Sequence, residues 1–502
     1  MSPNTPERTL YPLTPSQGLT VMNRTWCIHR NVVNIPTSII VDAALDLDLL
    51  EKAVRLAVGR WDSFGIRVVK QGRQWQQYFA EPALISLKRK DFRGRTRAEM
   101  ERFFHREAGK ILPLANSPMA KIWVLSDPEG NSGVYSVINH LIMDSWAISN
   151  FYADVLGVYR ALADGHPLPK APVPYEGVLV KELAYLQSER YTTDKDYWRH
   201  ELTQSEPLFT SLKGSRELAD YRAKKKSPQA RHCRNFFLRS RGGHIVKVVS
   251  AADVERCKQF LVDQRFPSLQ LLFALALRTY LSAVNDRTPD VTFGGTLARR
   301  GTIEEKRTGG SRVHHFDFRT VLPETTTFME ALEEMLDKQS QHYRHMDFPS
   351  VEAINMGLEA FGQHPGITYS GVLMTFQTLA VALDDGLTFR TMWYGNGATA
   401  IAAYLTVMDD DGTGGLRCYW EHSLTRMPAT YIDDAHDFMV RVIRAGIERP
   451  TITLGELMDM PLRSVVQAQL TGTGSRHGAG PRRRIRGRSP HESPRAAAPA
   501  RG

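Results

Sequence analysis

The chain has 502 residues, is 42% hydrophobic and carries a formal net charge of +10, so it is long enough for two to four domains and apolar enough to bury large cores. Its longest apolar run, Leu269 to Leu277, stops at Arg278, well short of the roughly 18 residues of a membrane span, and Met1 to Arg8 lacks a signal core, so a cytoplasmic location is the expectation. The charge sits mostly at the end: from Thr471 onward eight arginines oppose a single acid, Glu492, leaving about +3 for the body.

In chain order, a strand at Thr37 to Val41 precedes a helix at Leu49 to Val58, with Asp48 and Glu51 as its capping box. Strands follow near Ile66 to Val69 and Trp75 to Phe79. A helix opens after Thr96, with Glu99 three residues on, and leads to strands at Lys121 to Leu125 and Val134 to Ile138. The second half has strands near Asn235 to Leu238, Ile245 to Val249 and Val291 to Gly294, with helices at Ala251 to Leu261 and Leu269 to Leu281. Strands near Gly371 to Phe376, Ala400 to Val407 and Leu416 to Trp420 precede a last helix at Ala429 to Ile447. Strands and helices mix without strict βαβ alternation, which gives an α+β class. Residues 471–502 are Gly/Pro/Arg/Ala-rich without periodicity, the composition of a disordered tail. No aromatic residue interleaves Arg482 to Arg488, which argues against a nucleic-acid partner. Cys27, Cys233, Cys257 and Cys418 form no CxxC pair and read as structural thiols.

One junction stands out. The apolar run Gly133 to Ile138 ends in Asn139-His140, Asp144 follows four positions after the histidine, and Ser149 to Leu162 is apolar at helical spacing. Asp144 or Ser145 would cap that helix. His140 then sits where a strand gives way to a loop, a position from which an imidazole faces a cleft and serves as a general base. Spacing alone also fits a buried histidine beside a capping aspartate, since 16 histidines yield on the order of one HxxxD match by chance.

The surrounding segments add a resemblance. Asn139-His140-Leu-Ile-Met-Asp144-Ser145 resembles the HHxxxDG motif of nonribosomal peptide synthetase condensation domains, part of the chloramphenicol acetyltransferase-like superfamily. Tyr11-Pro-Leu-Thr-Pro-Ser16-Gln17, Arg60 to Arg67, Ile111 to Pro118 and Tyr175 to Trp198 resemble that family's preceding and following segments in order. Phe293 to Arg300, His345 to Ser350 and Leu373 to Gln377 continue the register, so the likeness spans about residues 8 to 460. Three departures accompany it: Asn139 replaces the first histidine, Ser145 replaces the glycine, and Gly310-Ser-Arg-Val-His314-His315 stands where the family has G-x-F-V-N-T.

The resemblance implies two chloramphenicol acetyltransferase-like lobes in a V, over residues 8–200 and 201–465, with a tunnel between them. We find no sequence repeat linking the halves. It makes His140 the catalytic residue and Asp144 a structural one, salt-bridged to an arginine, with Arg300 the first candidate and Arg67 the second. Asn139 and Ser145 border the motif. His314 and His315 are tunnel-lining candidates, as is Trp198, for which a core position is the preferred reading. On a strand His314 and His315 face opposite sides, so at most one looks into the tunnel. His342 and His345 lie three apart without a further ligand set, so no metal site is expected.

The implied activity is that of a free-standing condensation enzyme. It would move an acyl or aminoacyl group from the phosphopantetheine thioester of a separate carrier protein to an amine or alcohol, forming an amide or ester, with no cofactor of its own. Three other readings stay open: an acyl-CoA-dependent acyltransferase; a non-catalytic recruitment module, which the Asn139 and Ser145 departures would suit; and an epimerase-like member, which normally keeps the intact motif.

Overall fold

The computed structural model describes residues 8–82, 85–235, 240–377, 387–409 and 412–463. Its first half supplies strands β1 (Asn34–Val41), β2 (Ser86–Asp91), β3 (Ala120–Ser126) and β4 (Ser132–Asn139). The second supplies β5 (Gly242–Val249), β6 (Asp290–Ala298), β7 (Val313–Val321), β8 (Val372–Gln377), β9 (Phe389–Trp393), β10 (Ala403–Met408) and β11 (Leu416–Ser423). They form two mixed sheets, ordered β9-β1-β4-β3-β2 and β7-β6-β8-β10-β11-β5. Each sheet and its helices make one lobe of a two-lobed, chloramphenicol acetyltransferase-like fold.

Both faces of the first sheet are covered, so β1 and β4 are buried along their whole length. Val134 and Ile138 pack beneath the helices Leu47–Arg60 and Ser145–Asp164. Tyr135 and Val137 point the other way, and Tyr135 stacks on Phe104 of the helix Arg97–Ala108 at 4.1 Å between ring centroids. In the second lobe the helix Leu269–Val284 is buried nearly all round, and with Ala429–Glu448 it covers one sheet face. The other face of that sheet carries β7 and β11 side chains toward the space between the lobes.

Several elements start or end differently from their sequence signals. The helix expected at Leu49 begins two residues earlier, at Leu47, because Asp46 is the cap and accepts the N–H groups of Asp48 and Leu49. Glu51 therefore does not close a capping box; it pairs with Arg55 and Arg89. The box at Thr96 and Glu99 forms as expected. The strand placed at Asn235 to Leu238 falls largely outside the described residues, as does the tail 471–502. β9 follows β8 in sequence but pairs antiparallel with β1, from Phe389 opposite Val41 to Trp393 opposite Thr37. The chain of the second half thus completes the first lobe's sheet, a crossing that the division at residue 200 does not anticipate. The four cysteines are free and buried. Among the described residues no helix is long and apolar enough to cross a membrane.

Candidate active site

β4 ends at Asn139, and His140 turns the chain out of the sheet. Its backbone N–H donates to the carbonyl of Val33 at 2.8 Å, and its Nδ1 lies 3.1 Å from Oγ of Ser311. Burial holds the imidazole below its ordinary pKa, and the Asp144 carboxylate partly offsets that. Asn139 is fully buried and spends its side chain on the turn, Oδ1 accepting the N–H of Leu141 at 2.9 Å; its Nδ2 has no partner among the described residues. An asparagine at the family's first histidine position thus serves here as a turn-forming residue.

Asp144, not Ser145, is the cap of the following helix and accepts the N–H of Ala147 at 2.9 Å. Ser145 is that helix's first residue and is buried. The same carboxylate receives Nη2 of Arg300 at 2.8 Å on each oxygen and the backbone N–H of Arg312 at 3.0 Å. Arg300 also donates to the carbonyls of Thr308 and Gly310. Both ends of the ion pair are withdrawn from solvent. The arginine on Asp144 is therefore Arg300. Arg67 instead gives Nη1 to the carbonyls of Phe64 and Ile66, just before it in the chain, and burial lowers its pKa.

This ion pair clips the second half onto the motif loop. Gly310 bonds both ways, its N–H to the carbonyl of Ile142 at 3.0 Å and its carbonyl to the N–H of Asp144 at 3.2 Å. It adopts φ +76°, and a Cβ there would lie 2.1 Å from the Tyr175 ring, so only glycine fits. Ser311, the next residue, is delivered by that docking to His140. A buried network continues outward: Arg299 pairs with Glu182 and donates to Oγ of Ser16 at 3.0 Å, and Arg312 reaches Glu182 at 2.9 Å and Glu305 at 2.7 Å.

His140 faces a cavity of about 300 Å³ between the lobes, lined also by Ser16, His315, Asp317, Tyr404 and Glu421. His315 is the one of the histidine pair that looks in. Its Nδ1 lies 3.0 Å from Oγ1 of Thr296, and burial together with the charge of His140 holds its pKa down to about 4. His314 points to the opposite face of β7, with Nδ1 3.1 Å from the carbonyl of Met346. Trp198 is not in the tunnel wall either. It stacks on Phe316 at 4.0 Å and 5° and donates to the carbonyl of His345 at 2.8 Å, inside a small core with Phe348. His342 and His345 belong to that packing, beside Glu201 and Asp194 respectively.

Sequence reasoning left out Ser311, Arg299 and Arg312. All three lie within or beside segments it had marked, Phe293 to Arg300 and Gly310 to His315. What it lacked was the pairing of those segments across the lobes. Ser311→Ala is expected to cut turnover roughly tenfold with substrate KM little changed, since the imidazole loses one positioning hydrogen bond. Steady-state kinetics against wild type checks this; a change confined to KM would count against it.

A chain of this architecture, with N-H-x-x-x-D-S at the lobe junction, falls in the condensation-domain class, a family of acyltransferases. The family's Condensation domain profile matches residues 7–358, and the chain belongs to that family. A plipastatin synthase polypeptide of Bacillus subtilis (strain 168) is 22% identical over 432 residues, covering 85% of this chain but 16% of that protein. Surfactin synthase subunit 1 of the same organism is 22% identical over 464 residues, 90% of this chain and 12% of the synthase. The chain therefore spans less than a fifth of these relatives' length. Among solved structures, the first condensation domain of the calcium-dependent antibiotic synthetase has a TM-score of 0.75 at 17% identity, covering 89% of this chain and 98% of that one. The starter condensation domain of rhizomide synthetase, in complex with C8-CoA, has a TM-score of 0.74 at 16% identity, covering 90% and 98%. VibH, a condensation enzyme, follows at 0.67 and 18%, covering 86% and 95%.

Proposed function

We propose that this protein transfers an acyl or aminoacyl group from the phosphopantetheine thioester of a carrier protein to an amine or hydroxyl acceptor in nonribosomal peptide biosynthesis. The observation that carries this reading is the placement of His140 on the wall of an interlobe cavity, on a loop locked by Asp144 and Arg300. A thioester is reactive enough to need no covalent enzyme intermediate, so alignment and proton removal remain for the protein to supply. With Nδ1 engaged by Ser311, Nε2 is the nitrogen left to serve as the base. It takes the proton as the acceptor attacks the carbonyl; the new C–N or C–O bond forms, the C–S bond breaks, and the proton passes to the departing thiolate. The phosphopantetheine arm arrives with the donor, and the reaction calls for no cofactor of the enzyme's own.

The C8-CoA complex of the rhizomide starter domain keeps a second donor in view. Intact-protein mass spectrometry of acyl-loaded carriers, run beside octanoyl-CoA and with a panel of amines and alcohols, tests the proposal. Unloading of the carrier into an amide or ester supports it. Turnover from octanoyl-CoA alone would replace the carrier as donor. Stable carrier binding without turnover would point to recruitment.

A further inference from the structure

The cavity-facing side of the second sheet carries one continuous row of paired residues. Asp317 of β7 sits opposite Gly294 of β6, Gly294 opposite Leu373 of β8, Leu373 opposite Tyr404 of β10, and Tyr404 opposite Glu421 of β11. Residues paired in this way project from the same face. All five line the cavity that His140 faces. His315, two residues before Asp317, shares that face and lies at the His140 end. Four strand spacings separate the carboxylates, about 19 Å measured across the sheet. Gly294 adds no side chain to the floor between them.

The charge pattern of this cavity is one-sided. Asp317 and Glu421 are its charged lining residues, and no lysine or arginine lines it among the described residues. Neither carboxylate has a hydrogen bond or ion pair among the described residues, whereas Asp144, Glu182 and Asp290 are each met by arginine. Tyr404 does not serve them either, since its hydroxyl is engaged with Oγ1 of Thr375 at 2.7 Å. His244, which ends the row opposite Glu421, is kept neutral by burial, its pKa held down to about 4. A carboxylate withdrawn from water without a counter-ion is costly and takes up a proton instead. Burial accordingly raises Asp317 to about 6 and Glu421 to about 7. A ligand that brings cations would relieve both.

We infer that the acceptor is an amine bearing further protonated nitrogens, a polyamine or a basic amino-acid amide, whose reacting nitrogen lies at His140 while its other cations pair with Asp317, with Glu421 or, in a chain long enough to span them, with both. The inference rests on the condensation reading and narrows it to amide formation. The reacting nitrogen attacks as the free amine and loses one proton to His140, the C–N bond forms as the C–S bond breaks, that proton passes to the departing thiolate, and the remaining ammonium groups stay charged.

The test compares spermine, lysinamide and pentylamine as acceptors with wild type, Asp317→Asn and Glu421→Gln, and measures spermine binding by calorimetry. A KM for spermine or lysinamide at least roughly tenfold below that for pentylamine is expected from charge-assisted contacts, with the spermine gap narrowed in each amide variant and the lysinamide gap in at least one; which of the two acceptors is favoured separates a polyamine from an amino-acid source. Equal KM values for the three amines, or a preference that survives in both variants, would overturn the inference while leaving condensation intact. If no amine is acylated, calorimetry still decides. Spermine binding weakened in both variants keeps the charge assignment but overturns the inference that the bound amine is the acceptor; no spermine binding at millimolar concentration removes the assignment.

Discussion

Replacement of His140 by alanine is expected to lower kcat by about 10²–10⁴-fold, the usual contribution of a positioned general base. The melting temperature should barely move, because the side chain makes a single hydrogen bond, to Ser311, among the described residues. The pH profile gives a second readout. Burial lowers the imidazole pKa, so the neutral, proton-accepting form persists below the ~6.5 of an ordinary histidine. The acid limb of kcat should accordingly lie below that value. It should be followed at saturating acceptor, because Asp317 and Glu421 titrate at about 6 and 7 and would otherwise enter through KM. A kcat loss under tenfold, or an acid limb well above 6.5, would remove His140 from the centre of the chemistry.

What the sequence disclosed and what it concealed follow from the range of the interactions. The strand ending at Asn139, the aspartate cap at 144 and the helix behind it rest on local alternation, capping chemistry and helical spacing, all written within some 30 consecutive residues. The opposed facing of His314 and His315 needed only the two-residue period of a strand. Ser311 beside His140 is a contact across 171 positions, and β9 joins β1 across more than 300. No local periodicity carries either. The Asp317–Glu421 row is concealed for the same reason: its members come from strands whose pairing order, β7-β6-β8-β10-β11, departs from their order in the chain. Trp198 was legible as a tryptophan near a landmark segment, but its partner Phe316 arrives from another strand and makes it core. At the first helix the misreading was local. Asp46 and Asp48 both suit a cap, and the backbone turns at the earlier one.

The Asp144–Arg300 pair should dominate stability at the lobe junction. Removing either partner leaves an uncompensated charge in a region that solvent does not reach, and such losses typically cost about 3–5 kcal/mol. Arg300→Ala also strands the carbonyl of Thr308, and Asp144→Ala also removes the cap at Ala147 and the acceptor for Arg312. The double variant still lacks those neutral bonds but no longer buries a lone charge. It should therefore be less destabilised than the two single losses added together, with a coupling of at least about 1 kcal/mol. Arg67→Ala supplies the contrast: its guanidinium bonds to the nearby carbonyls of Phe64 and Ile66, so its loss should add to that of Asp144 within about 0.5 kcal/mol. Calorimetric melting of the five variants measures both cycles; full additivity for Asp144 with Arg300 would show that the pair is not what clips Gly310 and Ser311 to the motif loop. Well below the melting point, where the single variants remain folded, kcat should still fall. Arg300→Ala keeps the Gly310 backbone bonds and the Arg312 N–H on Asp144 without the guanidinium that anchors them, and Asp144→Ala keeps the Gly310–Ile142 and Gly310 carbonyl bonds. In both, the loop is held too loosely to His140's partner Ser311 to keep Nε2 aimed at the attacking atom.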